Sequence, residues 1–220
     1  MNHPNAISHV RWLRNMAAVV ALILVGACST LRSGVAPNPA FYSLEGAAPA
    51  ARAVPAMAPA AAPTLMVNPP HASAGFDSQR IIYVQEPHKL EYFAHSEWVD
   101  TPSRMLAPLL AAAIEHSAAF RAVVLTPSAA AGDLRLDTEI IRLQHEFLTR
   151  PSQVRFTLRA YLVDDRTRRV LAWREFDTAV PAASEDPYGG VVAANRAVQA
   201  VLKDLAAFCA ETARDQRKAD

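Results

Sequence analysis

Apolar residues recur along this chain with two periods, and the switch between them marks out the elements. Leu134, Leu136, Thr138 and Ile140 alternate with polar neighbours, and Ile141, Leu143 and Phe147 continue in the opposite phase. This predicts one long strand over 133–148, with a bulge near Ile140 whose extra residue shifts the phase. Val154, Phe156, Leu158, Ala160 and Leu162 alternate without a break. Asp164-Asp165-Arg166-Thr167 then reads as a hairpin turn lacking glycine, and 170–180 as the returning strand.

Shorter apolar runs precede this meander. Residues 41–44, 64–67, 80–85 and 122–125 read as strands, and 89–93 as a third, shorter extended segment after 64–67 and 80–85. Asn68-Pro69-Pro70 ends the 64–67 run, and a loop follows to about Ser78. Two stretches switch to the helical period. Thr101-Pro102 opens the first: Thr101 can cap the free N–H groups, and Pro102 suits the first helical position. Met105, Leu106, Leu109, Leu110, Ala113 and Ile114 form its apolar face, and Pro108 is expected to face solvent and kink it. Asp186-Pro187 opens the second, which runs to about Arg214 with Val191, Val198, Leu202, Leu205 and Cys209 as its stripe. Two amphipathic helices must each cover a sheet. The fold class is therefore α/β: a layered single domain with a mixed β-sheet and two main helices.

The beginning of the chain follows a different pattern. Arg11 and Arg14 precede an apolar run, Met16 to Val25, of 10 residues. A span needs about 20, so a basic head with a short apolar run reads as a secretory signal. Val25-Gly26-Ala27-Cys28 resembles the bacterial lipobox: an aliphatic residue, two small residues, then the cysteine whose thiol takes the diacylglycerol. The expected organisation is a signal peptide over 1–27, a lipidated tether over 28–40, a folded domain over 41–214 and a flexible tail over 215–220. The Ala/Pro-rich stretch 46–63 reads as a long loop inside the domain. Ser29, rather than aspartate, after the cysteine reads as sorting to the outer membrane on its periplasmic face. No cofactor is expected beyond the covalent diacylglycerol and N-acyl lipid on Cys28.

Composition narrows the function. The net charge is +1 and no cluster of four Lys/Arg occurs, which excludes a nucleic-acid-binding stripe. With Cys28 lipidated, Cys209 has no disulfide partner and reads as a small buried hydrophobe. No HExxH, CxxC, GxSxG or glycine-rich phosphate loop is present, so no catalytic residue and no metal site are assigned. His88 and His95 stand seven apart, which on a strand puts them on opposite faces. The acidic pairs Asp164-Asp165 and Glu185-Asp186 fall in turns and read as turn chemistry.

One run is distinctive. Pro87-His88-Lys89-Leu90-Glu91-Tyr92-Phe93-Ala94, followed by Glu97-Trp98-Val99-Asp100-Thr101-Pro102-Ser103-Arg104-Met105-Leu106, resembles the signature of the PqiC-like ABC-type transport auxiliary lipoproteins. Tyr42-Ser43-Leu44, the run Arg169 to Phe176 and Ala193-Ala194-Asn195-Arg196-Ala197 also fit that family. The resemblance covers about residues 28–210. It implies a compact α/β domain akin to the anticodon-binding and TolB N-terminal folds. It also implies a docking role beside an MCE-type transporter that moves phospholipid or other hydrophobic compounds between membranes, with a periplasmic MCE-domain protein as partner. A ring of copies would suit a tubular partner. The long 46–63 insertion, and Phe93 where a second tyrosine is common, depart from the pattern. The alternative class is a free-standing structural lipoprotein supporting outer-membrane integrity; a periplasmic hydrolase lacks a nucleophile constellation. Core packing is the main expectation for Tyr92, Phe93 and Trp98, and an exposed aromatic lip the second. On the second, Tyr92 or Trp98 belongs to the partner-binding surface.

Overall fold

The computed structural model describes residues 38–46 and 61–219. Cys28, the signal segment and most of the Ala/Pro-rich stretch lie outside the described residues.

The long alternating segment becomes the spine of a nine-stranded mixed sheet. In chain order the strands are β1 (Ala40–Tyr42), β2 (Thr64–Val67), β3 (His71–Ala72), β4 (Arg80–Val84), β5 (Glu91–Trp98), β6 (Ala122–Leu125), β7 (Leu134–Glu146), β8 (Gln153–Asp164) and β9 (Val170–Pro181). Helix α1 (Pro102–Glu115) lies between β5 and β6, and α2 (Pro187–Ala219) closes the chain. One edge of β7 pairs antiparallel with β8 along its length, and β8 with β9. The other edge is shared in turn by β2, β3 and β4, all parallel to β7. β6 extends the sheet beyond β2, and β5 then β1 extend it beyond β4. All four residues of β2 are buried, as expected of a strand flanked by parallel neighbours and covered on both faces.

The phase slip near Ile140 is a bulge. Ile140 pairs with Leu158 and Arg142 with Thr157, so Ile141 is the extra residue. Leu134, Leu136, Thr138 and Ile140 point inward before it, Leu143 and His145 after it. Leu134, Leu136, Ile140 and Leu143 meet Val154, Phe156, Leu158, Ala160 and Leu162 of β8 and the stripe of α2 in one core. The turn between β8 and β9 forms without glycine because Arg168 adopts φ 61°, while Asp164 accepts a hydrogen bond from the Thr167 amide at 2.7 Å. That bond holds the Asp164 carboxyl below its ordinary range.

On α1, Leu106, Leu110 and Ile114 are fully buried, each contributing about 1.5–3 kcal/mol. Pro108 is exposed, as expected, and the helix runs on past it. The cap differs from expectation. The Thr101 hydroxyl makes no capping bond; its carbonyl accepts from the Arg104 and Met105 amides, and its own amide donates to Asp100 Oδ1 at 2.8 Å. Capping needs the side chain turned back over the first turn, and here Asp100 fixes the entry instead.

Three boundaries also shift. The loop before Ser78 contains β3, which lays two residues against the free edge of β7. β5 continues to Trp98, because its last residues find both β4 and β1 to pair with. α2 continues to Ala219, through residues expected to form a tail. No glycine or proline interrupts residues 191–219, and Arg217 and Lys218 in the last turn complement the helix dipole.

Candidate docking surface

The aromatic run 83–98 divides between core and surface, and the strand alternation decides the division. Phe93 turns inward, where its ring lies 4.6 Å from that of Tyr83 and 6.4 Å from that of Phe147. Tyr92, on the opposite face, is 50% exposed, with the Arg80 guanidinium 3.8 Å above its ring. Such a cation–π contact fixes an exposed ring at little cost. Leu90, two residues earlier, is also exposed. The turn that carries them is tightened by His88 at φ 69° and by Lys89, which pairs with Glu86 and Glu91.

Trp98 corrects the second expectation for the aromatic run. Only 3% of it is exposed, and it belongs to the core, close to Gly190 and Ala194 of α2. It stands at an even spacing from Tyr92, but the register of β5 against β4 slips between the two, and β1 covers the strand's end. Trp98 therefore holds β5 in place, and Tyr92 remains as an outward-facing aromatic.

His145 is a residue that sequence reasoning passed over. It shares the inward phase of Leu143 and Phe147 and is 2% exposed, and that shared parity was the signal. Its ring lies 4.1 Å from that of Phe147, and its Nε2 shares a hydrogen bond of 2.8 Å with the Ser152 hydroxyl. The Ser152 amide donates to Glu185 at 2.9 Å. Nδ1 lies against Gly190 of α2, where an added Cβ would sit 2.5 Å away, and has no hydrogen-bond partner among the described residues. Ser152 is fully buried, so this Ser–His pair offers no nucleophile to a substrate. Among the described residues no group of three His, Cys, Asp or Glu converges on a point.

Burial holds the His145 pKa below its ordinary value of 6.5, against the opposing pull of Glu185 and Asp186. The unfolded chain therefore binds a proton that the folded chain refuses. This stabilisation is full above the unfolded value and is lost as pH falls from about 6.5 towards the lower folded value. Replacing His145 with glutamine should flatten the decline in urea-unfolding stability between about pH 7 and 5, above the range in which the carboxylates titrate. An unchanged slope would contradict this account.

The face of β7, β8 and β9 turned away from α2 is ionic. Arg155 reaches Asp177 at 2.7 Å and Glu146 at 3.3 Å; Arg159 reaches Glu175 at 2.7 Å; Arg135 reaches Asp165 at 2.8 Å and Asp137 at 3.1 Å. Partly exposed pairs of this kind contribute about 0–1 kcal/mol each. At the β9 edge Trp173 is 62% exposed, its ring 6.5 Å from that of Tyr161.

At the opposite edge, the segment after β1 is strapped to α2. Asn195 accepts from the Glu45 amide at 2.6 Å and donates to the Ser43 carbonyl at 3.2 Å, and Gln199 donates to the Gly46 carbonyl at 3.4 Å. Leu44 is buried between these bonds. The strap gives a physical role to Asn195 in the run Ala193 to Ala197.

The comparisons agree with this architecture. Protein XCC0632 from Xanthomonas campestris superposes with a TM-score of 0.69 at 22% identity, over 81% of this chain and 98% of that one. An uncharacterized protein superposes with a TM-score of 0.62 at 11% identity, over 78% and 99%. Hypothetical protein CT253 from Chlamydia trachomatis gives 0.50 at 8%, over 72% and 98%. These likenesses concern the fold. No curated protein sequence matches the chain. The model of the family described as ABC-type transport auxiliary lipoprotein component matches residues 42–206, from the end of β1 into the middle third of α2. The chain belongs to that family.

Proposed function

We propose that this protein is the lipid-anchored, non-catalytic docking component of an MCE-type ABC system that moves phospholipid or other hydrophobic compounds between membranes. In this reading Cys28 carries the anchor at the periplasmic face of the outer membrane, and the domain receives the periplasmic MCE-domain protein. The family match across the folded domain carries the reading. The enclosure of Ser152 and His145 supports a binding role over a hydrolytic one.

Tyr92 belongs to the docking surface in this account. A tyrosine that serves as an interface hot spot costs about 2 kcal/mol or more when truncated, which is a loss of affinity of about thirty-fold or more. Tyr92→Ala should lower recovery of the transporter complex while leaving the urea-unfolding midpoint close to that of the parent. Full recovery of the complex would remove Tyr92 from the interface.

A further inference from the structure

The corner where the chain enters the domain has an unusual surface. Phe41 and Tyr188 are 58% and 63% exposed, and Val99, whose amide donates to the Tyr42 carbonyl at 2.8 Å, is 50% exposed. The Tyr42 and Tyr188 rings lie 6.4 Å apart. Phe41, Tyr42, Tyr188 and Val192 border an open groove of about 490 Å³, whose remaining lining includes Glu45 and Arg196. Neither Glu45 nor Arg196 forms an ion pair among the described residues. β1 is an edge strand, and among the described residues no strand lies beyond Phe41.

We infer that this corner rests on the bilayer that holds the anchor, with Phe41 and Tyr188 in the headgroup zone and the groove against zwitterionic phospholipid headgroups. The inference rests on the lipid-anchored part of the function proposed above. Three observations carry it. First, Phe41 follows Cys28 by only 13 residues, which reach at most about 45 Å when fully extended. The entry corner is thus the part of the domain that the anchor holds closest to lipid. Second, the strap through Asn195 and Gln199 makes that corner rigid, so the aromatics are presented in a fixed arrangement. Third, the groove sets Arg196 and Glu45, neither ion-paired among the described residues, between aromatic and aliphatic side chains. An ethanolamine phospholipid offers the complementary pair: Arg196 meets its phosphate and Glu45 its ammonium. Rings with one apolar and one polar end favour this depth of the membrane.

The test uses the full lipidated chain in vesicles of phosphatidylethanolamine and phosphatidylglycerol. A nitroxide is attached at Phe41→Cys or Tyr188→Cys, and at Trp173→Cys on the opposite edge of the sheet as reference. Cys209 is buried with its thiol pushed up to about 12, so it does not compete for the label. Oxygen collision relative to that of a water-soluble nickel chelate should be several-fold higher at 41 and 188 than at 173. Water-like values at 41 and 188, in protein that floats with the vesicles, would overturn the contact. So would protection of both sites from oxygen and nickel alike at high protein density only, which would mark contact with a second copy. Protein that fails to float would overturn the anchor itself, and flotation reads that before any depth is measured.

Discussion

Cys28→Ala is expected to release the protein from the membrane altogether, provided the leader is exchanged for one cut by the general signal peptidase. A single myristoyl-sized chain binds with K of only about 10⁴ M⁻¹, whereas two or more chains hold stably, and a lipidated Cys28 would carry a diacylglycerol and an N-acyl chain. Removing all of them leaves little to replace their hold. Among the described residues no helix is long and apolar enough to cross a membrane. Membrane fractionation and vesicle flotation check the outcome: the parent floats, and the variant stays in the soluble fraction with its fold intact. Aromatics at the entry corner would add only a weak contact that dilution reverses. A variant still floating quantitatively would show that the attachment lies outside Cys28.

Phe156→Ala is expected to have the largest effect on stability. Phe156 is the largest of the fully buried side chains, 1% exposed, on the inward face of β8. It pairs across to Leu143 just beyond the bulge, and to Thr178 on β9. Truncating a buried phenylalanine costs about 3–5 kcal/mol, because transfer free energy is lost and a cavity remains that a cross-braced sheet cannot collapse to fill. Domains of this size hold about 5–15 kcal/mol in total, so the variant should sit close to its unfolding threshold. Urea titration should show a much lower midpoint with an unchanged slope. Val170→Ala, at a half-exposed position on β9, should change stability by less than about 0.5 kcal/mol. A small loss at Phe156 would contradict the packing described for β8 and α2.

The meander and both helices were legible because their signals are local. Period-two alternation in β7 and β8 encodes which face is inward, and the phase change at Ile140 encodes the bulge. The short elements were less legible. β3 is two residues long and exists only because the free edge of β7 is available to it. The burial of Trp98 depends on a register slip and on a strand, β1, more than fifty residues earlier in the chain. The ends of α1 and α2 turned on which polar group reaches the backbone: Asp100 rather than the Thr101 hydroxyl at one, Asp186 bonding the Gly189 amide at 2.7 Å at the other.

The surface was less legible again. Tyr92 was visible only as one of two candidates, with Trp98, for an exposed aromatic lip, and its pairing with Arg80 requires β4 and β5 side by side. His145 carried a parity signal that was masked by its polar character. The corner formed by Phe41, Val99 and Tyr188 draws on three distant stretches, and only the closed fold assembles it. A lipobox, by contrast, is a motif read in sequence and needs no fold, so Cys28 could be proposed as the anchor site without one.

If this domain serves a transporter as its docking module, the two proteins should be recoverable together. The direct measurement is to purify the membrane-anchored protein from its native cell after mild cross-linking and identify what accompanies it. An MCE-domain protein is expected in the eluate, reduced in amount when Tyr92 is replaced by alanine. Absence of any MCE-domain protein, under conditions that preserve other envelope complexes, would contradict the docking role.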